Sequence, residues 1–313
     1  MRKFLSVLCL ALTLFLCSGC ASALLSFALQ PKKAAPNYSK TLRWVESRSP
    51  GAAQWYTSNR ESGNLLDTFI VSPDGVRLHA LYGRAPGDSR RSAVIVHGYK
   101  SAPEGMSMVA RMYRDSLGYN ILLPSLRYHG ESEGREVQMG WNDRLDVKLW
   151  CTVAHEIFAD TLEVCHGISM GGATVMMLSG EEDLPEYVGG IIDDCGYTSV
   201  WDEFDMLMKD SLKIHDPSVL VRADELCRKR YGWSFKEASS VDMVAKSRVP
   251  MLFIHGSADN FVPVWMGEAC YEAKVEGYRE LWLPEGARHA ASYTMYPAEY
   301  TARVRKFLSE RVE

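Results

Sequence analysis

The sequence predicts an α/β fold: a mostly parallel sheet with an antiparallel N-terminal edge, helices on both faces and a small helical lid. Three observations carry this. From residue 66 onward, short apolar runs alternate with stretches of helical period. The first two runs flank a turn tripeptide, Pro73-Asp74-Gly75. Further on, a G-x-S-x-G sequence stands between an apolar run and a helical stretch. Alternating strands and helices feed a parallel sheet, and a hairpin at the start adds an antiparallel edge.

The hairpin is expected from Thr68–Ser72 and Val76–Tyr82, because Pro-Asp-Gly supplies the turn geometry. Six apolar runs follow: Ser92–Val96, Asn120–Leu123, Leu162–Cys165, Val188–Ile192, Pro250–Ile254 and Glu280–Leu283. Runs of this kind suit strands covered on both faces. Between them, Trp141–Phe158 carries Leu145, Leu149, Val153 and Ile157 at every fourth position, one helical stripe. Pro103–Leu117, Gly171–Leu178, Pro263–Val275 and Pro297–Leu308 also read as helices. Three of these open on proline, whose missing N–H costs nothing in a first turn. Ser199 to about Gly232 is helical in pattern and too short for a domain, so it is expected to form the lid, within a catalytic domain of residues 66–313.

Composition sets outer limits. The 313 residues are 47% hydrophobic and 24% charged, which is globular rather than disordered. A formal net charge of −4 offers no basic field for a phosphate backbone, so nucleic acid is not an expected partner. Residues 31–65 are expected to be a linker with one short amphipathic helix near 39–48.

Residues 1–30 read as an export segment. Arg2 and Lys3 precede an uncharged run from Phe4 to Leu29, followed by Lys32 and Lys33. The run exceeds the ~18–20 residues that cross a bilayer, which favours a retained anchor. Ala21-Ser22-Ala23 fits a signal-peptidase site, and Cys17-Ser18-Gly19-Cys20 is similar to a bacterial lipobox with Cys17 in the place of leucine. A buried helix fits less well, since no face of the run is marked as apolar. The expected location is therefore extracytoplasmic, anchored or released. Of eight cysteines, Cys151, Cys165, Cys195, Cys227 and Cys270 lie outside this segment. An odd number leaves at least one thiol unpaired or none paired at all. Cys165 and Cys195 sit in apolar runs and read as small buried hydrophobes.

The chemistry centres on Gly167-Ile168-Ser169-Met170-Gly171. A sharp strand-to-helix turn lifts the Ser169 hydroxyl to the end of the sheet and puts the Met170 N–H at a helix N-terminus, where it suits an anion. Val94–Val96 followed by His97-Gly98-Tyr99 should supply the second oxyanion donor, the Tyr99 N–H. His97, at the strand end, is expected to hold neighbouring loops. The acid and the base should follow the nucleophile in that order. Asp259 lies just beyond the Pro250–Ile254 run, and His289 follows the last run. Each has a bland reading, Asp259 as a helix cap and His289 as a surface residue, but their order and strand-end positions point to a Ser169–His289–Asp259 triad. Asp193 or Asp194, after Val188–Ile192, is the rival acid. No cofactor is expected, and the eight histidines show no H-x-H or H-x-x-x-H metal spacing.

Together, His97-Gly98-Tyr99, Gly167–Gly171, Gly256-Ser257-Ala258-Asp259 and Gly286-Ala287-Arg288-His289 resemble the α/β-hydrolase superfamily. The nearest resemblance is to exported or membrane-anchored bacterial members of its serine aminopeptidase-like and prolyl-oligopeptidase-like branches. Arg127-Tyr128-His129-Gly130-Glu131-Ser132-Glu133-Gly134 is similar to that group's R-x-H-G-x-S-x-G loop, with Tyr128 where glycine is usual. Ser26–Leu29 resembles its anchor-to-domain junction. The resemblance implies eight strands, no cofactor and hydrolysis of an ester, thioester or amide. A small lid and nearby aromatics (Trp201, Phe204, Trp233, Phe261, Trp265) favour a small-molecule ester over a peptide. A serine peptidase and a noncatalytic binding protein on the same scaffold are the alternatives.

Overall fold

The computed structural model describes residues 19–31 and 38–313. Eight strands form one sheet: β1 (Leu66–Val71), β2 (Arg77–Gly83), β3 (Arg91–Val96), β4 (Asn120–Ser125), β5 (Leu162–Ile168), β6 (Val188–Asp194), β7 (Met251–Ile254) and β8 (Arg279–Trp282). Their order is β1-β2-β4-β3-β5-β6-β7-β8. The β1–β2 and β2–β4 pairs are antiparallel and every later pair is parallel. The chain leaves β3 towards one edge and returns on its other side at β5. That reversal opens a crevice at the carboxyl ends of β3 and β5, where ligands of parallel sheets bind. Val96 pairs with Gly167 there, so the two loops expected to build an oxyanion site emerge side by side.

Side chains alternate between two cores even in strands buried on both faces. Val94, Val96 and Cys165 enter one core, while Ala93, Ile95, Val164 and Ile168 enter the other. The helices, in chain order, start with residues 19–29 (α1), Tyr38–Arg48 (α2) and Ala52–Glu61 (α3). Pro103–Leu117 is a 3₁₀ turn, a short helix at Ser107–Arg111 (α4) and a π turn. Asp143–Phe158 (α5) and Met170–Leu178 (α6) pack against the sheet. Between β6 and β7 lie Val200–Met206 (α7), Pro217–Tyr231 (α8) and Ser240–Val244 (α9). Val264–Ala273 (α10), Ser292–Met295 (α11) and Pro297–Phe307 (α12) complete the set.

Three local expectations are corrected. The buried stripe of α5 is Asp143, Asp146, Val147, Trp150, Cys151, Ala154 and Phe158, whereas Leu145 is exposed. A strict fourth-residue row drifts around a 3.6-residue helix, and the i, i+3, i+4 set faces the sheet instead. The segment 31–65 holds two helices: α3 follows α2, and Val45, Ala52 and Tyr56 bury themselves in the second core. Finally, the end of the apolar N-terminal run is not featureless. In α1, Ala21, Leu24, Leu25, Ala28 and Leu29 are all buried in the first core, an i, i+3, i+4, i+7, i+8 face set off only by Ser22, Ala23, Ser26 and Phe27, which are small or apolar.

Two bonds fix the end of α1: the Val137 N–H donates to Leu29 O at 2.7 Å and the Tyr99 hydroxyl to Ala28 O at 2.7 Å. Cys20 is an exposed free thiol at its start. Of the expected Phe4–Leu29 anchor, residues 4–18 lie outside the described residues and residues 19–29 form α1. Among the described residues, no helix is long and apolar enough to cross a membrane. Leu25 is fully buried, so Leu25→Ala should destabilise the protein by about 2–5 kcal/mol in denaturant titration. A loss under about 0.5 kcal/mol would mean that α1 is not docked.

Asp143 is fully buried, with Oδ2 accepting from Gly140 N at 2.9 Å and Oδ1 unpartnered among the described residues. Burial, aided by the Asp146 charge, pushes its carboxyl up to about 7. The folded chain therefore holds a proton that the unfolded chain has released above about pH 4, and this site costs stability as pH rises through that window. Asp143→Asn removes the cost. Scanning calorimetry should show its Tm gain over wild type growing from pH 5 to pH 8; a gain independent of pH would contradict this.

Candidate active site

Ser169 joins β5 to α6 at φ 59° and ψ −121°. A non-glycine residue with positive φ costs of order 1–3 kcal/mol and persists only where its surroundings enforce it. Here the Ser169 N–H donates to Asp194 O at 2.8 Å and its carbonyl accepts from Ala173 N at 3.0 Å. The turn closes because residue 167 has no side chain: a Cβ there would meet Gly171 O at 2.0 Å. The His97-Gly98-Tyr99 loop presses on the same turn, and a Cβ at Gly98 would stand 3.2 Å from Ser169 Cβ.

The structure brings the three expected side chains into one hydrogen-bonded line. His289 Nε2 lies 2.9 Å from Ser169 Oγ, and His289 Nδ1 lies 2.7 Å from Asp259 Oδ2. Asp259 is 5% exposed, and its Oδ1 accepts from Phe261 N at 2.9 Å and Val262 N at 3.0 Å. Both carboxyl oxygens are thus engaged, so the aspartate is fixed in rotamer and acts on the ring from one side. The loops carrying acid and imidazole are tied together: Ala258 N donates to Ala287 O, and Gly286 N to Ser257 Oγ. The Phe261 ring lies 4.9 Å from the imidazole ring.

The rival acids are engaged elsewhere. Asp194 Oδ2 accepts from the Tyr300 hydroxyl at 2.9 Å, and burial pushes that carboxyl up to about 6. Asp193 Oδ1 accepts from Gly196 N at 2.9 Å. Met170 is the first residue of α6, where an N–H has no intrahelical acceptor. Tyr99 follows Gly98 in the loop that presses on the serine turn. His97 is fully buried, accepts from Leu126 N through Nε2 at 3.1 Å, and so donates through Nδ1 to Gly98 O at 2.8 Å. Burial pushes it down to about 3, leaving it neutral. It holds loops together.

Sequence reasoning missed two supports. His129 Nε2 accepts from Lys100 N at 3.1 Å, which pins the left-handed residue (φ 58°) just after Tyr99. Behind the elbow, His166 bridges the Tyr113 and Tyr300 hydroxyls at 3.1 and 2.9 Å, and Tyr300 reaches Asp194. Its partners lie 53 and 134 residues away in sequence, a separation no local pattern can signal. The cysteine expectation resolves simply: Cys151, Cys165, Cys195, Cys227 and Cys270 are all buried free thiols.

No family model matches the chain. It is 28% identical over 228 residues to the uncharacterized protein YqkD of Bacillus subtilis, covering 72% of this chain and 74% of the relative. It is 26% identical over 229 residues to the alpha/beta hydrolase domain-containing protein WAV2 of Arabidopsis thaliana, covering 68% of each. Among solved structures, the Pyrococcus furiosus esterase Pf2001 superposes with a TM-score of 0.66 at 22% identity. That match covers 82% of this chain and 96% of the esterase.

Proposed function

We propose that this chain is a member of the α/β-hydrolase superfamily and hydrolyses carboxylic esters through an acyl-enzyme on Ser169. The Ser169–His289–Asp259 line, at 2.9 and 2.7 Å, is the observation that carries the reading. His289 Nε2 takes the hydroxyl proton as Ser169 Oγ attacks the carbonyl carbon. Asp259 holds the tautomer with the proton on Nδ1 and stabilises the imidazolium as it forms. The Tyr99 and Met170 amides receive the oxyanion, an arrangement in which one donor is worth about 2.7–4 kcal/mol of barrier. The imidazolium then protonates the leaving alcohol, and water attacks the acyl-enzyme by the reverse sequence.

Apolar surface at the site supports a small ester with an apolar group. Phe261 is 56% exposed beside His289, and Phe27, 54% exposed, lies across Lys100 from the Tyr99 ring. The esterase activity named for the Pyrococcus relative points the same way. The proposed setting is extracytoplasmic, with the apolar run before α1 as tether.

The test is a p-nitrophenyl ester ladder from acetyl to dodecanoyl, run beside aminoacyl-anilides and a fluorophosphonate probe. Ester turnover with labelling of Ser169 is the expected result. Turnover of anilides alone would replace the esterase with a peptidase. Absence of both turnover and labelling would leave a binding protein on a hydrolase scaffold.

A further inference from the structure

A cavity of about 480 Å³ lies away from the serine, between α2, α3 and the antiparallel edge of the sheet. Its walls include Tyr38, Tyr56, Asp67, His79, Glu104 and Glu131, and none of Ser169, Asp259, His289 or Tyr99. The volume falls in the range of small-molecule sites. Its charges are unevenly answered. Asp67 is paired with Arg60 at 2.6 Å and His79 at 2.9 Å. Glu131 Oε1 accepts the Tyr38 hydroxyl at 2.7 Å, and Glu104 is only 4% exposed, its carboxyl turned to its own amide. Among the described residues, neither glutamate has an ion-pair partner. Burial, with the Glu131 charge adding to it, raises the Glu104 pKa. A buried carboxylate without a counter-charge is costly, and a cation entering the cavity would relieve it.

We propose that this cavity binds a small organic cation of the alkylammonium class, its charged head between Glu104 and Glu131 and its body against the Tyr38 and Tyr56 rings. Phenol faces attract ammonium groups as well as covering their alkyl chains. A divalent metal is the competing occupant, because ligand atoms of Asp67, His79 and Glu131 lie within 4.8 Å of one another. The organic cation fits better on two grounds. Asp67 and His79 are bonded to each other, and His79 Nδ1 lies 3.0 Å from Ser125 Oγ, so a metal would have to break the Arg60–Asp67–His79 set. The cavity is also far larger than one ion needs. Glu104 follows Tyr99 by five residues and Glu131 adjoins His129, so an occupied cavity would stiffen the loop beside the serine and the His129 contact that pins it.

Titration calorimetry of the full chain with 1,4-diaminobutane tests this, with zinc chloride alone as a separate arm and matched sodium chloride as control. Saturable one-site binding with Kd below about 1 mM is expected. The Glu104→Gln/Glu131→Gln double variant should weaken it at least about tenfold, while Ser169→Ala should bind as wild type does. Glu131→Gln alone changes an exposed residue without changing its shape, and should weaken binding about threefold or more even if the double variant folds poorly. No saturable heat up to about 10 mM diamine, or full binding by the glutamine variants, overturns the proposal. Binding of zinc but not of diamine overturns it in favour of a metal site. None of these outcomes depends on ester hydrolysis.

Discussion

Ser169→Ala should lower kcat/KM for p-nitrophenyl esters by about 10³- to 10⁶-fold, with little change in Tm. Removing the nucleophile of a Ser-His-Asp set leaves only the rate supplied by oxyanion donors and binding. Among the described residues the hydroxyl's only hydrogen bond is to His289 Nε2 at 2.9 Å, at the solvent-facing end of the line, so its loss leaves no buried orphan. Asp259→Asn should cost about 10⁴-fold in kcat, because an amide can present its NH₂ to Nδ1 and reverse the tautomer. The second loss separates the proposed relay from a serine that acts with histidine alone. Retention of more than about a tenth of wild-type activity by Ser169→Ala would remove Ser169 as nucleophile.

Gly167→Ala should destabilise the fold by about 3 kcal/mol or more and, in whatever protein folds, reduce turnover at least about a hundredfold. The added Cβ would stand 2.0 Å from Gly171 O and 2.5 Å from Gly172 N, both backbone atoms of the helix that follows the serine. No rotamer change relieves a clash with backbone. Relief requires α6 to move off β5, which carries the Ser169 hydroxyl away from His289 and the Met170 amide away from the oxyanion. Denaturant titration and ester kinetics on one preparation check both parts. A variant with unchanged midpoint and unchanged kcat would show that the turn is looser than its geometry.

The fold and the candidate site were legible where local chemistry dictates structure. Apolar runs bounded by turn residues located all eight strands, with ends displaced by a few residues where ladders run on into polar positions such as Asp194. The Pro73-Asp74-Gly75 turn gave the hairpin. Ser169, Asp259 and His289 could be named because each follows an apolar run, and strands of a parallel sheet deliver such loops to one end. Helix faces were less legible. In α5 the stripe facing the sheet includes Asp143 and Asp146, polar residues that a search for apolar spacing passes over. In α1 every side chain is small or apolar, so no contrast marks the docked face.

The sequence by itself determined the element types, their order, and which serine, aspartate and histidine stand at strand ends, because turn geometry and strand periodicity act over a few residues. Order and position in the sequence favoured Asp259 over its rival, and tertiary structure decided what Asp194, the last residue of β6, and Asp259, in the loop after β7, each meet. One is bonded to Tyr300 from α12, and the other to the imidazole. It also decided that α1 ends against Tyr99, that His129 holds Lys100, and that two glutamates face one cavity between α2 and the sheet edge. Those contacts join residues 27 to 71 positions apart, and at that range only the packing of the whole core fixes which groups meet.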